Sequence, residues 1–312
     1  MKELSYIYKK CLILGANGFI GRNLVPQLKS HFFDVSTYSL NLSDEIIVDG
    51  VTNIIADFFD ENALEKALEN VDVVIHLVTT MTPFTSNQNP ILDIQQNLIG
   101  SIKLLELCRS QGVKKIIYLS SGGTVYGDLS NVEKADEKHI TNPSCSYGII
   151  KLAFEKYLAL YRDLYGIESV TLRVSNPYGP LQSCKKSQGV IASFLDKVIN
   201  DEILEIWGDG SAVRDFIYID DLISAVIKSI SYTGSESVFN IGSGRGDSLN
   251  EILSTISSIL NEELDIIYVK DKNAGVKRNV LDNFLAMKEL EWRPVFSLRD
   301  GLKKTIYYWN NI

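Results

Sequence analysis

The chain has 312 residues, 45% hydrophobic and 22% charged, ordinary proportions for a globular protein with ample material for a core. Its 31 Lys and Arg against 39 Asp and Glu leave a net charge of -8, which argues against sequence-independent nucleic-acid binding, a task that needs a cationic face. The four cysteines, Cys11, Cys108, Cys145 and Cys184, lack C-x-x-C spacing, so no metal site and no disulfide framework is indicated, and a reducing cytoplasm suits them. The opening MKELSYIYKKCLIL lacks the apolar core and cleavage site of a signal peptide. No apolar run approaches the ~20 residues of a membrane helix.

In chain order, the apolar run Cys11-Leu12-Ile13-Leu14 leads into Gly15-Ala16-Asn17-Gly18-Phe19-Ile20-Gly21, and a helical pattern follows from Asn23 to Ser30. Strand, glycine turn and helix in that order make a dinucleotide-binding unit, because glycines permit a tight turn and the helix N-terminus faces a pyrophosphate. The spacing G-x-x-G-x-x-G is a variant of the commoner G-x-G-x-x-G. A second strand, Asp34 to Tyr38, ends at Ser39, where an acidic residue normally bonds the ribose of NAD. With no carboxylate to repel a 2′-phosphate and no arginine to attract one, NAD and NADP both remain open. Val51 to Ala56 leads to Asp57-Phe58, which either meets an adenine amino group and ring face or begins the helix Asp60 to Asn70 with Asp57 as its cap.

Val71 to Val78 is nearly all apolar, as in a parallel strand buried on both faces. A polar loop, Thr79 to Asn89, and a long helix, Ile91 to Gln111 with Asn97 inside it, come next. His76 reads as a packed strand residue, while His31 and His139 have no obvious partners. The strand Lys114 to Ser120, the helix Ser146 to Tyr165 and the strand Glu168 to Val174 complete an alternation that predicts an α/β fold with a doubly wound parallel sheet.

Tyr147 and Lys151 stand in the spacing Y-x-x-x-K, and a helix puts positions i and i+4 on one face. An ammonium held beside a phenol favours the tyrosinate, which would otherwise need a pH of about 10. Such a tyrosine can take a proton from a sugar or alcohol hydroxyl while hydride leaves the same carbon. After Arg173 the alternation breaks at Asn176-Pro177-Tyr178-Gly179-Pro180 and the loop to Gln188, which suggests a cap. Arg214 is suited to an anionic substrate, since its fork matches phosphate geometry; a surface ion pair is its other reading. We expect a dinucleotide-binding domain over 1–174 and a cap over 175–312, with segments around 213–242 returning to the first domain.

GANGFIG, Asp57, DVVIHL, Asn97, SSGGTVYG, Tyr147 with Lys151, NPYGP, GDGSAVRDFIYIDD and FNIGSG together resemble the extended short-chain dehydrogenase/reductase family, most closely its nucleotide-sugar 4-epimerases of the UDP-glucose/UDP-galactose type. The resemblance implies a Rossmann sheet and tightly held NAD, with Gly15, Asn17, Gly18, Phe19, Ile20 and Gly21 at the pyrophosphate. Asp57 and Phe58 would then lie at the adenine, Leu77, Asn97 and Ser120 along the cofactor, and Lys151 on the nicotinamide ribose. It implies Asn176 near the sugar diphosphate, Arg214 on the diphosphate with Lys272 or Arg278, and Asp282 at the nucleotide ribose. It also implies a homodimer through the helices 91–111 and 146–165.

Alignment on Val125-Tyr126-Gly127 puts the family's catalytic hydroxyl at Gly122, so Ser121 or Thr124 is expected to donate instead, or a water to fill the space. The acidic residues of the family's dehydratases and decarboxylases are replaced by Gly123 and Thr124, which disfavours elimination and decarboxylation. A 4-keto-sugar reductase using NADPH is the enzymatic rival, and a non-catalytic nucleotide-sugar or NAD binding protein the third reading.

Overall fold

The computed structural model describes residues 8–31, 34–183, 189–270 and 276–311. Strands β1 (Lys10–Leu14), β2 (Asp34–Ser39), β3 (Val51–Ile55), β4 (Val73–His76), β5 (Lys115–Ser121) and β6 (Glu168–Val174) alternate with helices, and every pairing among them is parallel. The central strands are buried on both faces: β4 exposes nothing and β1 only the edge of Lys10. That is why they read as unbroken apolar runs.

Helix α1 (Phe19–Lys29) starts directly on Gly18, ahead of the Asn23 expected from its pattern, and α2 (Glu61–Ala67) is shorter than expected. Asp60, not Asp57, caps α2, accepting from Ala63 N at 3.0 Å. The polar loop over 79–89 contains a short helix, α3 (Pro83–Gln88), because Thr82 and Thr85 form a reciprocal cap and Pro83 begins the turn. The helix after it is composite: α4 (Pro90–Asp93), a π-type stretch over Ile94–Ile99, then α5 (Gly100–Ser110). The one-turn α6 (Gly122–Val125) follows β5, and α7 (Ser146–Tyr165) ends on Gly166 in the left-handed region at φ 71.

Past β6 come β7 (Asn176–Tyr178), α8 (Val190–Ile199), β8 (Leu204–Trp207), β9 (Val213–Arg214), β10 (Phe216–Tyr218) and α9 (Ile219–Ser231). They are followed by β11 (Val238–Ile241), β12 (Asp247–Ser248), α10 (Leu249–Leu260), β13 (Ile266–Val269), β14 (Arg278–Asn279), α11 (Phe284–Glu289) and α12 (Leu298–Trp309). Strand β11 returns to lie beside β6, giving a seven-stranded sheet of order β11-β6-β5-β4-β1-β2-β3. Small sheets β10·β7, β12·β9·β14 and β13·β8 build the remainder. The order reverses direction between β1 and β4, and a cofactor in a doubly wound sheet sits at such a switch point. No described helix is long and apolar enough to cross a membrane.

Candidate active site

The glycine turn sits between β1 and α1. Gly15 takes φ +79, and a Cβ there would press on the Leu77–Val78 backbone at 3.1 Å. At Gly21 a Cβ would lie 2.3 Å from Ala16 O, so the helix and the turn pack closer than any side chain permits. Gly18 is exposed, and α1 has neither a side-chain cap nor an acidic residue in its first turn. The N–H groups at Phe19, Ile20 and Gly21 are therefore aimed at an anion with nothing of like charge beside them, which fits a pyrophosphate. Ser39 is committed to this turn, its hydroxyl accepting from Asn17 N at 3.0 Å, and the Asn17 amide donates to Asn41 Oδ1.

At the end of β3, Asp57 is exposed and accepts from Phe59 N at 3.0 Å. Phe58 corrects the expectation of an adenine contact: it is buried and stacks on His76 at 5.6 Å, leaving Phe59 as the exposed ring there. Ser120 also turns inward, donating to Glu155 Oε1. Asn97 is tied to the loop after β4, accepting from Thr80 N at 2.9 Å, close to Leu77, whose backbone bonds Leu14.

His76 is buried between Phe58, Tyr118 and Phe154 and bonds Ser101 Oγ at 2.9 Å. Burial lowers its pKa to about 3, with Lys151 adding to the effect, so it stays neutral and structural. The unfolded chain takes up this proton below about 6.5, so stability falls as pH drops from there toward the folded value. We predict that His76 alone removes about 2–3 kcal/mol between pH 6.5 and 4, and that urea titrations of His76→Phe show a correspondingly flatter acid limb.

Tyr147 and Lys151 lie on the first two turns of α7, the Lys151 ammonium 5.5 Å from the Tyr147 ring centre and 4.7 Å from that of Tyr118. The ammonium donates to Leu119 O at 2.8 Å, leaving other N–H donors unspent. Burial lowers the Lys151 pKa to about 8, opposed by Glu155 and Asp93. In the chain by itself the nearby ammonium does not offset the effect of burial on the phenol. Burial, then Cys145 and Asp93, raise the Tyr147 pKa well above its ordinary value.

Gly122 also departs from expectation. A Cβ there would point into the interior, 2.6 Å from a Leu281 methyl and 3.0 Å from Arg173 O, so a hydroxyl at 122 would collide with β14's continuation rather than face the cleft. At Gly123 the corresponding direction meets the Asn176 amide at 3.8 Å and Ser121 Oγ at 3.9 Å. Ser121 Oγ and the Asn176 amide thus both border Gly123, while Thr124 packs on α7 at Gly148, next to Tyr147, and donates to Ser121 O at 3.4 Å.

Asn176, Arg214, Tyr178, Phe216 and Leu249 line a cleft of about 290 Å³. Asn176 is held by Asp215 O at 2.8 Å. Arg214 donates to the carbonyls of Val213 and Val276, and burial lowers its pKa. Arg278 donates to Glu133 O at 3.0 Å, and Asp282 accepts from Phe284 N at 2.8 Å at the start of α11. Lys272 lies outside the described residues. Asp215, not singled out by sequence, organises this wall: fully buried, it accepts from Ser243 N, Gly244 N and Leu281 N. Its sequence neighbour Arg214 was the only signal pointing to it. Among the described residues no three potential metal ligands cluster.

A glycine turn at the switch point of a seven-stranded parallel sheet, with Y-x-x-x-K on the helix α7 packed against β5 and β6, defines a Rossmann-fold enzyme of the extended short-chain dehydrogenase/reductase class. The chain belongs to the NAD dependent epimerase/dehydratase family, whose model matches residues 11–242. It is 30% identical to UDP-glucose 4-epimerase of Mycolicibacterium smegmatis, over 97% of this chain and 99% of the relative. It is 35% identical to dTDP-4-dehydro-6-deoxyglucose reductase of Escherichia coli, over 95% and 96%. Among solved structures, UDP-glucose 4-epimerase of Thermotoga maritima with UDP-glucose superposes with a TM-score of 0.92 at 32% identity, covering 97% of this chain and 99% of that one.

Proposed function

We propose that the protein is a cytoplasmic NAD-dependent 4-epimerase of a nucleoside-diphosphate sugar, UDP-glucose/UDP-galactose or their N-acetyl analogues, working through a 4-keto sugar. The observation that carries this reading is the Lys151 ammonium 5.5 Å from the Tyr147 ring on α7, a helix packed on β5 and α6, with Gly123 of α6 lying beside the Asn176 amide of the cleft that Arg214 also lines. Bound NAD supplies the C4 hydride acceptor and a positive nicotinamide ring that favours the tyrosinate. Gly15, Gly18 and Gly21 would admit its pyrophosphate, Asp57 and Asn97 would stand along it, and the unspent N–H donors of Lys151 would hold its ribose.

In this reading Tyr147 removes the proton of the C4 hydroxyl and later returns it, while Ser121, which borders Gly123 as Asn176 does, hydrogen-bonds the same oxygen. Arg214 holds the diphosphate. The sugar turns over in the cleft between the two transfers, so either face of C4 meets the cofactor. A one-way reductase of a 4-keto sugar is the second reading. It is favoured by the 35% identical reductase and by Ser39, which offers a 2′-phosphate no like charge.

The test is to purify the protein, identify any nucleotide that accompanies it, and incubate it with UDP-glucose, UDP-galactose and their N-acetyl forms with no cofactor added. Interconversion supports the epimerase. Turnover that requires NADPH and a keto sugar transfers the assignment to the reductase.

We further propose a homodimer through α7 and the 90–99 segment, where Ile149, Leu160, Leu164, Ile91, Ile94 and Ile99 are exposed. Light scattering is expected to give twice the chain mass, and Leu160→Glu with Leu164→Glu a monomer.

A further inference from the structure

Asp93 is fully buried at the end of α4, yet it belongs to neither the glycine turn nor the tyrosine–lysine pair. Its oxygens divide their bonds: Oδ1 accepts from Asn97 Nδ2 at 2.7 Å and Oδ2 from Ser146 Oγ at 2.8 Å. Asn97 is itself locked to Thr80 at the end of β4, and Ser146 opens α7 immediately before Tyr147. The N-cap of α7, Cys145, gives no side-chain bond. The helix's first donors are satisfied from outside instead, Ser146 N by Asn87 Oδ1 at 2.9 Å and Tyr147 N by Ser86 Oγ at 3.1 Å, both on α3.

One buried carboxylate therefore joins the cofactor side of the cleft to the start of the helix that carries Tyr147. A buried carboxylate without a cationic partner is costly, and this one is offset by two donors and by the positive end of the α7 dipole. Packing alone gives no reason for a charge at this place.

Resting on the proton-transfer reading of Tyr147 and Lys151, we propose that Asp93 is a positioning residue whose bonds fix the first turn of α7 and whose charge sets the protonation balance of the tyrosine–lysine pair. Other ionisable groups facing the pair are His76 from β4, Tyr118 from β5, and Cys145 and Glu155 from α7, the last held by Arg173 from β6. His76 is neutral, and Glu155, although paired with Arg173, raises the Lys151 pKa more than Asp93 does; Asp93 is the carboxylate that acts on both members of the pair. The direction agrees, since Asp93 raises the pKa of both Tyr147 and Lys151.

Two variants separate charge from tether. Asp93→Asn removes the charge; Ser146→Ala removes one bond and keeps it. The first readout needs no turnover: acetylation of Lys151 by acetic anhydride across pH 6–11, followed by mass spectrometry. In D93N the onset of labelling is expected about half a unit to one unit lower than in the wild type, and in S146A at the wild-type pH. Asp93→Glu, which keeps the charge, must hold the wild-type onset, and this arm serves if D93N is unstable. Superimposable curves for wild type and D93N, or a displaced onset in D93E, would overturn the proposal.

The second readout is the pH profile of kcat/KM on the sugar that the wild type turns over. Both limbs of the D93N profile are expected to move toward acid, while S146A loses rate with its limbs in place. A labelling shift in a protein that turns over no sugar would sustain the role of Asp93 and reject the epimerase reading, so the two failures are distinguishable.

Discussion

Tyr147→Phe is expected to lower kcat about 10²–10⁴-fold with little change in KM or in folding. The phenol oxygen is the atom proposed to carry the proton, and among the described contacts Tyr147 is held by its backbone, through Ser86, and by the ring's place beside Lys151. Removing the hydroxyl thus takes away chemistry and leaves the helix intact. Initial rates of sugar interconversion with saturating NAD, together with thermal melting, check this. A variant that retains more than about a tenth of the wild-type kcat rules Tyr147 out as the base. The structure also sets what Tyr147 needs from its surroundings. Burial raises the pKa of its hydroxyl and Lys151 is still mostly an ammonium at neutral pH, so a rise in rate with pH is expected up to the range where Lys151, at about 8, loses its charge.

The second large effect concerns Arg173, which the sequence passed over as the point where the alternation ends. Its guanidinium is buried on β6 and forks onto Glu155 of α7, with Nη2 to Oε2 at 2.7 Å and Nε to both oxygens at 3.2 Å. It also donates to Tyr126 Oη at 2.9 Å, and Tyr126 donates to Asn240 Oδ1 on β11 at 2.7 Å. Ser120 completes the shell of Glu155. Glu155 lies one helical turn beyond Lys151, so this network clamps the helix that carries the proposed proton-transfer pair onto the sheet.

Arg173→Met leaves a carboxylate buried and unpaired, which costs about 3–5 kcal/mol. Urea unfolding is expected to show that loss, and pairing the change with Glu155→Leu to recover most of it, because replacing both charges by apolar groups removes the unpaired ion. If the double variant is no more stable than Arg173→Met, the cost lies in packing rather than in the stranded charge.

What could be read directly from residues is local and periodic. The apolar runs of β1, β4 and β5, the glycine spacing from Gly15 to Gly21, and the four-residue step from Tyr147 to Lys151 each depend on backbone period and on the sterics of one turn, and all appear where expected. The length of a capped helix is nearly as local: α7 spans Ser146–Tyr165 because Gly166 takes the left-handed turn that ends it. The short helix α3 is hidden in the sequence because its polar composition resembles a loop, although Thr82-Pro83 carries the signal.

What the tertiary structure decided is the direction each side chain takes, and that depends on neighbours far along the chain. Phe58 packs in the core because His76 offers a flat partner; Ser120 turns inward because Glu155 is buried behind it. Gly122 is glycine because Leu281 and the Arg173 carbonyl occupy the space of its side chain. Asp93 gave no motif, and only the fold brings it to Ser146, 53 positions on. Spacing in a sequence reports which residues share a face of one element; which faces meet is settled by burial and hydrogen bonding across the whole chain, and the functional weight of this site lies in those meetings.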